Sequence, residues 1–453
     1  MTSQYHVFDS VVQRRFLLYR WVVYSAQVAC TAAVCFVGVF PATIGEGLAT
    51  ELRLSATSLG LLGSLFFYIY AVMQVPAGYL SDTWGPRKVV TVGMSVMAVG
   101  QFIFAQANGL AVALAGRAVS GLGGSLMLIA FMKVMVNWFR SREFATLVGV
   151  NVLVGFGGSM LGTMPLALLV VRWGWRLPLS IVAAFSLALA VLNWALVRDD
   201  PHELGLPGIG EMDPDSRPNS SDSAAGIHKW SLVKDAFMTW RCTPTVWKVS
   251  VISMLVWGGY QAFQVLWAGP YLIHVHDKGP VAAGASLWLL SVGGGPGALL
   301  AGFVSDKLLR ARRPFLIAGI SGTALAWVCI LATTGGASTR FINMTFLMLS
   351  FSAGVMLISQ AMVKEAVRPE LFGTVFGIVN TFPFLGNAFF QVVMGWLLNS
   401  FEATMVEGSR VYSPMAYWMA FLPACVASVF CVGLSLFVRE STKGTTSSAV
   451  ALE

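Results

Sequence analysis

A dozen apolar runs of about 20 residues each, separated by short charged connections, take up most of this chain of 453 residues. A helix rising about 1.5 Å per residue needs roughly that length to cross about 30 Å of hydrocarbon. In lipid the backbone must bond to itself, so such runs fold as helices. They fall at 21–43, 57–80, 89–107, 111–136, 144–170, 177–197, 246–271, 283–304, 314–334, 341–363, 372–398 and 414–438. The expected fold class is an all-α polytopic membrane protein. Only 11% of residues are charged, against about 25% in soluble domains. The first run follows Arg14, Arg15 and Arg20. It is too long for the apolar core of a signal peptide and reads as a retained span.

Between the sixth and seventh runs, "RDDPHELGLPGIGEMDPDSRPNSSDSAAGIHK" is rich in Pro, Gly, Ser and Asp and has no helical periodicity. It reads as a solvated linker. The expected organisation is a tail (1–20), a six-helix bundle (21–198), a linker (199–245), a second bundle (246–438) and a tail (439–453). Most of the 29 Lys and Arg fall on the side that holds the termini and the linker. Only Arg53, Arg172, Arg176, Lys278, Arg340 and Arg410 fall opposite. By the bias of basic residues toward the cytoplasm, both termini are expected there, and the compact loops and short tails suggest the inner membrane of a bacterium. The same bias explains the net charge of +8, so nucleic acid is not an expected partner.

The two halves repeat one another. "GYLSDTWGPRKVV" (78–90) is echoed by "GFVSDKLLRARRP" (302–314), with Asp82 and Asp306 each following the second run of its half. "FATLVG" (144–149) and "FGTVFG" (372–377) share Phe, Thr and Gly, and each opens a fifth run. Two matches at nearly one offset indicate parallel duplication. Duplicated bundles have a seam that can open either way, as in transporters with a midplane site.

"GYLSDTWGPRK" resembles the signature loop of the major facilitator superfamily, G-x-L-x-D-x-x-G-R-[RK]. "RAVSGLGG" (117–124) resembles that family's fourth-helix motif, through Gly121 and Gly123, and "WGWR" (173–176) looks familial too. "GFGGSMLGTMP" has the glycines of the exporters' fifth-helix motif but a displaced Pro165. The resemblance implies twelve transmembrane helices in two pseudo-symmetric six-helix bundles. In physical terms, Gly78 and Gly85 allow close approach and a sharp turn. Asp82 can meet the free amides that open the eleventh run, stabilised by about 0.3–2 kcal/mol. Arg87 and Lys88 can hold acids or lipid phosphates. Gly302, Asp306, Arg310, Arg312 and Arg313 are expected to do the same toward the fifth run. Both loops then act as gates that join the halves while the cytoplasmic side is shut.

For the substrate, Tyr24, Gln27 and Thr31 share one face of the first run, and Trp257, Tyr260, Gln261 and Gln264 cluster on the seventh. A lipid-facing surface would not carry amides there, so both faces are expected to line a cavity, together with Ser359, Gln360, Asn151, Asn380 and Asn387. Arg117 lies inside the fourth run and is expected either against neighbouring backbone or on an anion. Lys133 lies near the inner end, where its stem can snorkel. No run carries a mid-depth acid. Glu46 falls on an outer loop and Glu365 beside Lys364 at the inner surface, while His274 and His276 sit at the outer end of the seventh run.

The six cysteines lack metal-ligand spacing, and no phosphate loop or catalytic set is readable, so neither cofactor nor enzyme activity is expected. The expectation is a monomeric secondary active transporter taking up a small organic anion, coupled to protons, by alternating access. An exporter of drugs or siderophore-like compounds is the first alternative. A transporter-like sensor or scaffold is the second, although a sensor would usually carry a larger soluble domain.

Overall fold

The structure, a computed structural model, describes residues 10–207, 229–305, 311–368, 371–406 and 409–438. Among them, eleven helices are long and apolar enough to cross a membrane. In the first half these are Arg14–Val39, Pro86–Ala105, Leu110–Trp138, Thr146–Trp173 and Arg176–Leu196. In the second they are Pro244–His276, Pro280–Phe303, Arg313–Thr333, Thr339–Ala366, Gly373–Asn399 and Pro414–Ser435. The remaining crossing, second in chain order, is interrupted at Met73, where Ala56–Val72 is continued by Gln74–Trp84. Counting it as one crossing with the eleven gives twelve, which puts both ends of the described chain on one face. That face is called the terminal face below, and its opposite the far face.

The bundles mirror each other in packing. The third span lies against the fourth and sixth, and the ninth against the tenth and twelfth. Between halves, the second packs on the eleventh and the fifth on the eighth, pairs that a twofold operation exchanges. This is the two-bundle architecture the repeats imply.

Two features differ from the sequence expectation. Part of the linker is the helix Lys229–Cys242. Its Ala236 is buried and its Trp240 stacks on Phe382 at 5.5 Å, so an apolar stripe anchors it to the eleventh span. A short antiparallel hairpin, β1 (Thr404–Val406) and β2 (Ser409–Val411), caps the far face between the last two spans.

Candidate functional site

One large buried cluster contains residues of both halves, including Phe66, Trp267 and Phe390. The clusters nearer the terminal face each stay within one half. Phe16, Tyr24, Phe131 and Trp138 form one, and Ile252, Leu316 and Met362 another. On the far side, backbones touch across the seam. A methyl at Gly60 would sit 2.5 Å from the Gln391 carbonyl, and one at Gly395 2.5 Å from that of Ala56. One at Gly269 would run into the Ala42 carbonyl. At mid-depth Phe384 closes on Tyr70, with ring centres 4.4 Å apart. Toward the terminal face, Gly78, Gly149, Gly302 and Gly377 all face open space. Cross-half packing is thus concentrated on the far side.

The polar stripes divide. The Tyr24 hydroxyl donates to the Leu147 carbonyl at 2.8 Å, and Gln27 Nε2 to Asn193 Oδ1 at 2.8 Å. Both residues are buried within the first bundle, while Thr31 is half-buried and bonded to its own helix. On the seventh span, Ser253–Trp257 and Phe263–Trp267 are π-helical. Trp257 and Tyr260 stay in contact across the first of these wide turns, ring centres 5.5 Å apart. Tyr260 and Gln264 are buried against the Leu290 carbonyl of the eighth span, while Trp257 and Gln261 stay half-buried. Gln360 is exposed and Asn380 half-buried. The residues with surface left for a ligand are therefore Thr31, Trp257, Gln261, Gln360 and Asn380. Gln27→Leu is expected to cost about 0.6–1.7 kcal/mol of stability, as for other buried interhelical hydrogen bonds in membranes. Ligand affinity per folded molecule stays unchanged, which thermal unfolding and binding of a transported ligand would check together.

Arg117 is fully buried on the far side. Its guanidinium donates to the Val37 carbonyl at 2.9 Å and lies over the Phe66 and Phe40 rings at 4.7 and 5.2 Å. It ties the first, second and fourth spans together, the backbone alternative of the two the sequence left open.

The loop bases hold their own halves. Arg87 gives its amide to Asp199 Oδ1 at 2.5 Å and its guanidinium to the Trp194 carbonyl at 2.6 Å, stacked on the Trp194 ring. Gly85 has φ of 85°, and a side chain there would run into the Asp199 carboxylate. Burial pushes the Asp199 carboxyl up, against the pull of the Arg87 amide. Lys88 is exposed. In the second half, Glu365, expected to pair at the inner surface beside Lys364, pairs with Arg312 at 2.9 Å. Arg313 donates to the Leu436 carbonyl at 2.5 Å. The Asp82 side chain, Asp306 and Arg310 lie outside the described residues.

Sequence reasoning passed over Gln74 and Gln391. The first is 2% exposed and the second fully buried. Gln391 donates to Asn387 Oδ1 at 2.5 Å, and its carbonyl accepts from Trp267 at 3.1 Å. Among the described residues, Gln391 Oε1, Asn387 Nδ2 and Asn151 Oδ1 have no hydrogen-bond partner. Unmet amides at membrane depth are costly. Their signal was available, as amides at helical spacing inside apolar runs.

A sequence profile described as Major Facilitator Superfamily matches residues 28–390. The membrane sensor protein UhpC of Escherichia coli strain K12 is 26% identical over 371 residues, covering 79% of this chain and 80% of that protein. A protein of the same strain named "Probable galactarate/D-glucarate transporter GarP" is 24% identical over 384 residues, covering 80% and 85%. Among solved structures, a bacterial homologue of the human lysosomal transporter Spinster, inward-facing and unoccupied, superposes with a TM-score of 0.75 at 16% identity, covering 93% of this chain and 97% of that one.

Proposed function

Because the chain belongs to the major facilitator superfamily, we propose that it is a proton-coupled carrier that takes up a small organic anion by alternating access. The observation that carries this reading is the asymmetry of the glycines. Gly60, Gly269 and Gly395 on the far side are locked against backbone of the other half. The repeated ones at the terminal face, Gly78 with Gly302 and Gly149 with Gly377, face open space. They supply the close approach that the opposite state requires, when the second span would meet the eleventh and the eighth the fifth. The loops holding Asp82 and Asp306 then act as gates of that state. The orphaned amides of Asn387 and Gln391 gain access to ligand when the far mouth opens.

The anion is supported by the sugar dicarboxylates in the name of the GarP protein. A cation must answer it, and Arg117 is fully buried among the first, second and fourth spans, out of a ligand's reach. Lys133 is half-buried on the fourth span and matches Gln360 of the tenth within the offset of the repeats. We assign it the counter-charge, with Thr31, Trp257, Gln261, Gln360 and Asn380 providing polar contacts. With the basic side of the membrane cytoplasmic, uptake proceeds toward the terminal face.

In proteoliposomes, sugar-acid uptake is expected to accelerate under an inward proton gradient. Lys133→Gln is expected to raise KM about tenfold, with the fold intact. Uptake indifferent to a pH gradient would refute the coupling. The similarity to UhpC favours a second reading, a receptor that binds such anions without moving them. Saturable binding with no flux in the same vesicles would establish that reading instead.

A further inference from the structure

The far mouth carries a polar cluster built from both halves. Glu46 lies on the helix Pro41–Glu51 of the first half, and His274 near the end of the seventh span. Glu46 Oε2 is 2.7 Å from His274 Nε2, and the Tyr417 hydroxyl of the twelfth span is 2.8 Å from His274 Nδ1. Ser409 of β2 donates to the other Glu46 oxygen and accepts from Thr50 at 3.0 Å. The His274 side chain is 3% exposed and that of Glu46 21%.

The surrounding titratable groups are otherwise occupied. Tyr412 stands with its ring 6.4 Å from that of His274, and its hydroxyl accepts from the Ala56 amide at 3.3 Å. His276 bonds Tyr271 at 3.0 Å, and Lys278 bonds Ser286 at 2.9 Å. Arg410 of the hairpin is exposed. Glu51 turns to Trp175 and Arg176. Among the described residues, Glu46 is the carboxylate within reach of the imidazole.

We propose that Glu46, His274 and Tyr417 form a proton-binding site between the halves that holds the far mouth shut. The inference rests on the alternating-access reading above. A neutral His274 gives Nε2–H to Glu46 and accepts from Tyr417 at Nδ1. An added proton sits on Nδ1, Tyr417 turns to accept it, and the bond to Glu46 becomes an ion pair out of water. Opening the far mouth carries Glu46 away with its half. Proton binding and closure are therefore linked, and each favours the other.

Burial pushes the Glu46 carboxyl up, but the hydrogen bond and charge of His274 and the Ser409 hydrogen bond outweigh it, leaving it below its ordinary value. A carboxylate depressed in the closed state supports closure above its ordinary range and stops doing so as pH falls through the lowered value. Closure is thus favoured where carboxylate and imidazolium coexist. It weakens in strong acid as the carboxylate is lost.

The test uses the full chain in nanodiscs, its native cysteines replaced and nitroxides placed at Gln106 and Gly335 on opposite halves of the far face. Distance distributions are recorded between pH ~5.5 and ~8.5. The wild-type ratio of short to long distances is expected to fall about fivefold across that range. Glu46→Gln and His274→Gln should both give flat profiles, and Tyr417→Phe, which keeps the ring, a displaced one. A flat wild-type profile, or a His274→Gln profile matching wild type, overturns the proposal. A titrating mouth in a protein that moves no substrate would remove the transport reading and leave the proton site standing. Proton-driven uptake with a flat profile would do the reverse.

Discussion

Gly269→Ala is expected to hold the far mouth open and stop transport. The added methyl has no room beside the Ala42 carbonyl, and both atoms belong to backbone of different halves. Neither helix can yield without parting the bundles. Within its own helix the substitution is favourable, by about 0.5–1 kcal/mol. Each bundle should therefore fold as before. The clash falls on the far-closed state alone and costs it about 3 kcal/mol, shifting the equilibrium roughly a hundredfold toward far-open. A cysteine placed at mid-depth of the seam should become reactive from the far face and lose reactivity from the terminal face. Gly78→Ala, which meets open space here, should leave this state untouched and penalise the opposite one. An unchanged reactivity pattern in Gly269→Ala would show that the seam does not move there.

Arg117→Leu should cost about 3–5 kcal/mol, the largest stability loss expected of a single polar side chain in this fold. It removes a charge-assisted bond to the Val37 carbonyl and the cation's contact with two aromatic rings, with no water present to replace either. Arg117→Lys should recover little, because a point charge cannot reach the carbonyl and lie flat on Phe66 together. Thermal unfolding in detergent measures the loss. Ligand affinity of the surviving folded fraction should match wild type, since Arg117 is sealed from the cavity. A variant that unfolds normally but binds anions weakly would return Arg117 to the binding site.

Crossings were legible in the sequence because burial in lipid demands long, continuous apolar runs, and the repeats at 78–90 and 302–314 announced the twofold arrangement. The interruption at Met73 also had a signal, Pro76, which lacks the N–H for the Val72 carbonyl and crowds it, so the helix breaks one turn earlier. Periodicity found the stripe at Tyr24 and Gln27 but could not tell a cavity from the neighbouring helix that receives both side chains. On the seventh span Trp257 and Tyr260 still pack edge to face at 5.5 Å, but only Tyr260 is buried, bonded to the Leu290 carbonyl of the eighth span, which periodicity could not foresee. Glu46 and His274 were each visible as polar residues near an outer end. Their union was not, because it joins residues 228 positions apart through the closed seam. The same holds for Asp199, whose partner Arg87 belongs to a loop 112 positions away.

Two label pairs on one protein test alternation most directly. One spans the far face at Gln106 and Gly335, the other the terminal face at Thr83 and Arg368. From wild type to Gly269→Ala, the far-face distance should lengthen while the terminal-face distance shortens in the same molecules. Mouths that open independently, or a terminal face that stays apart when the far face opens, would contradict a single seam rocking between two closed ends.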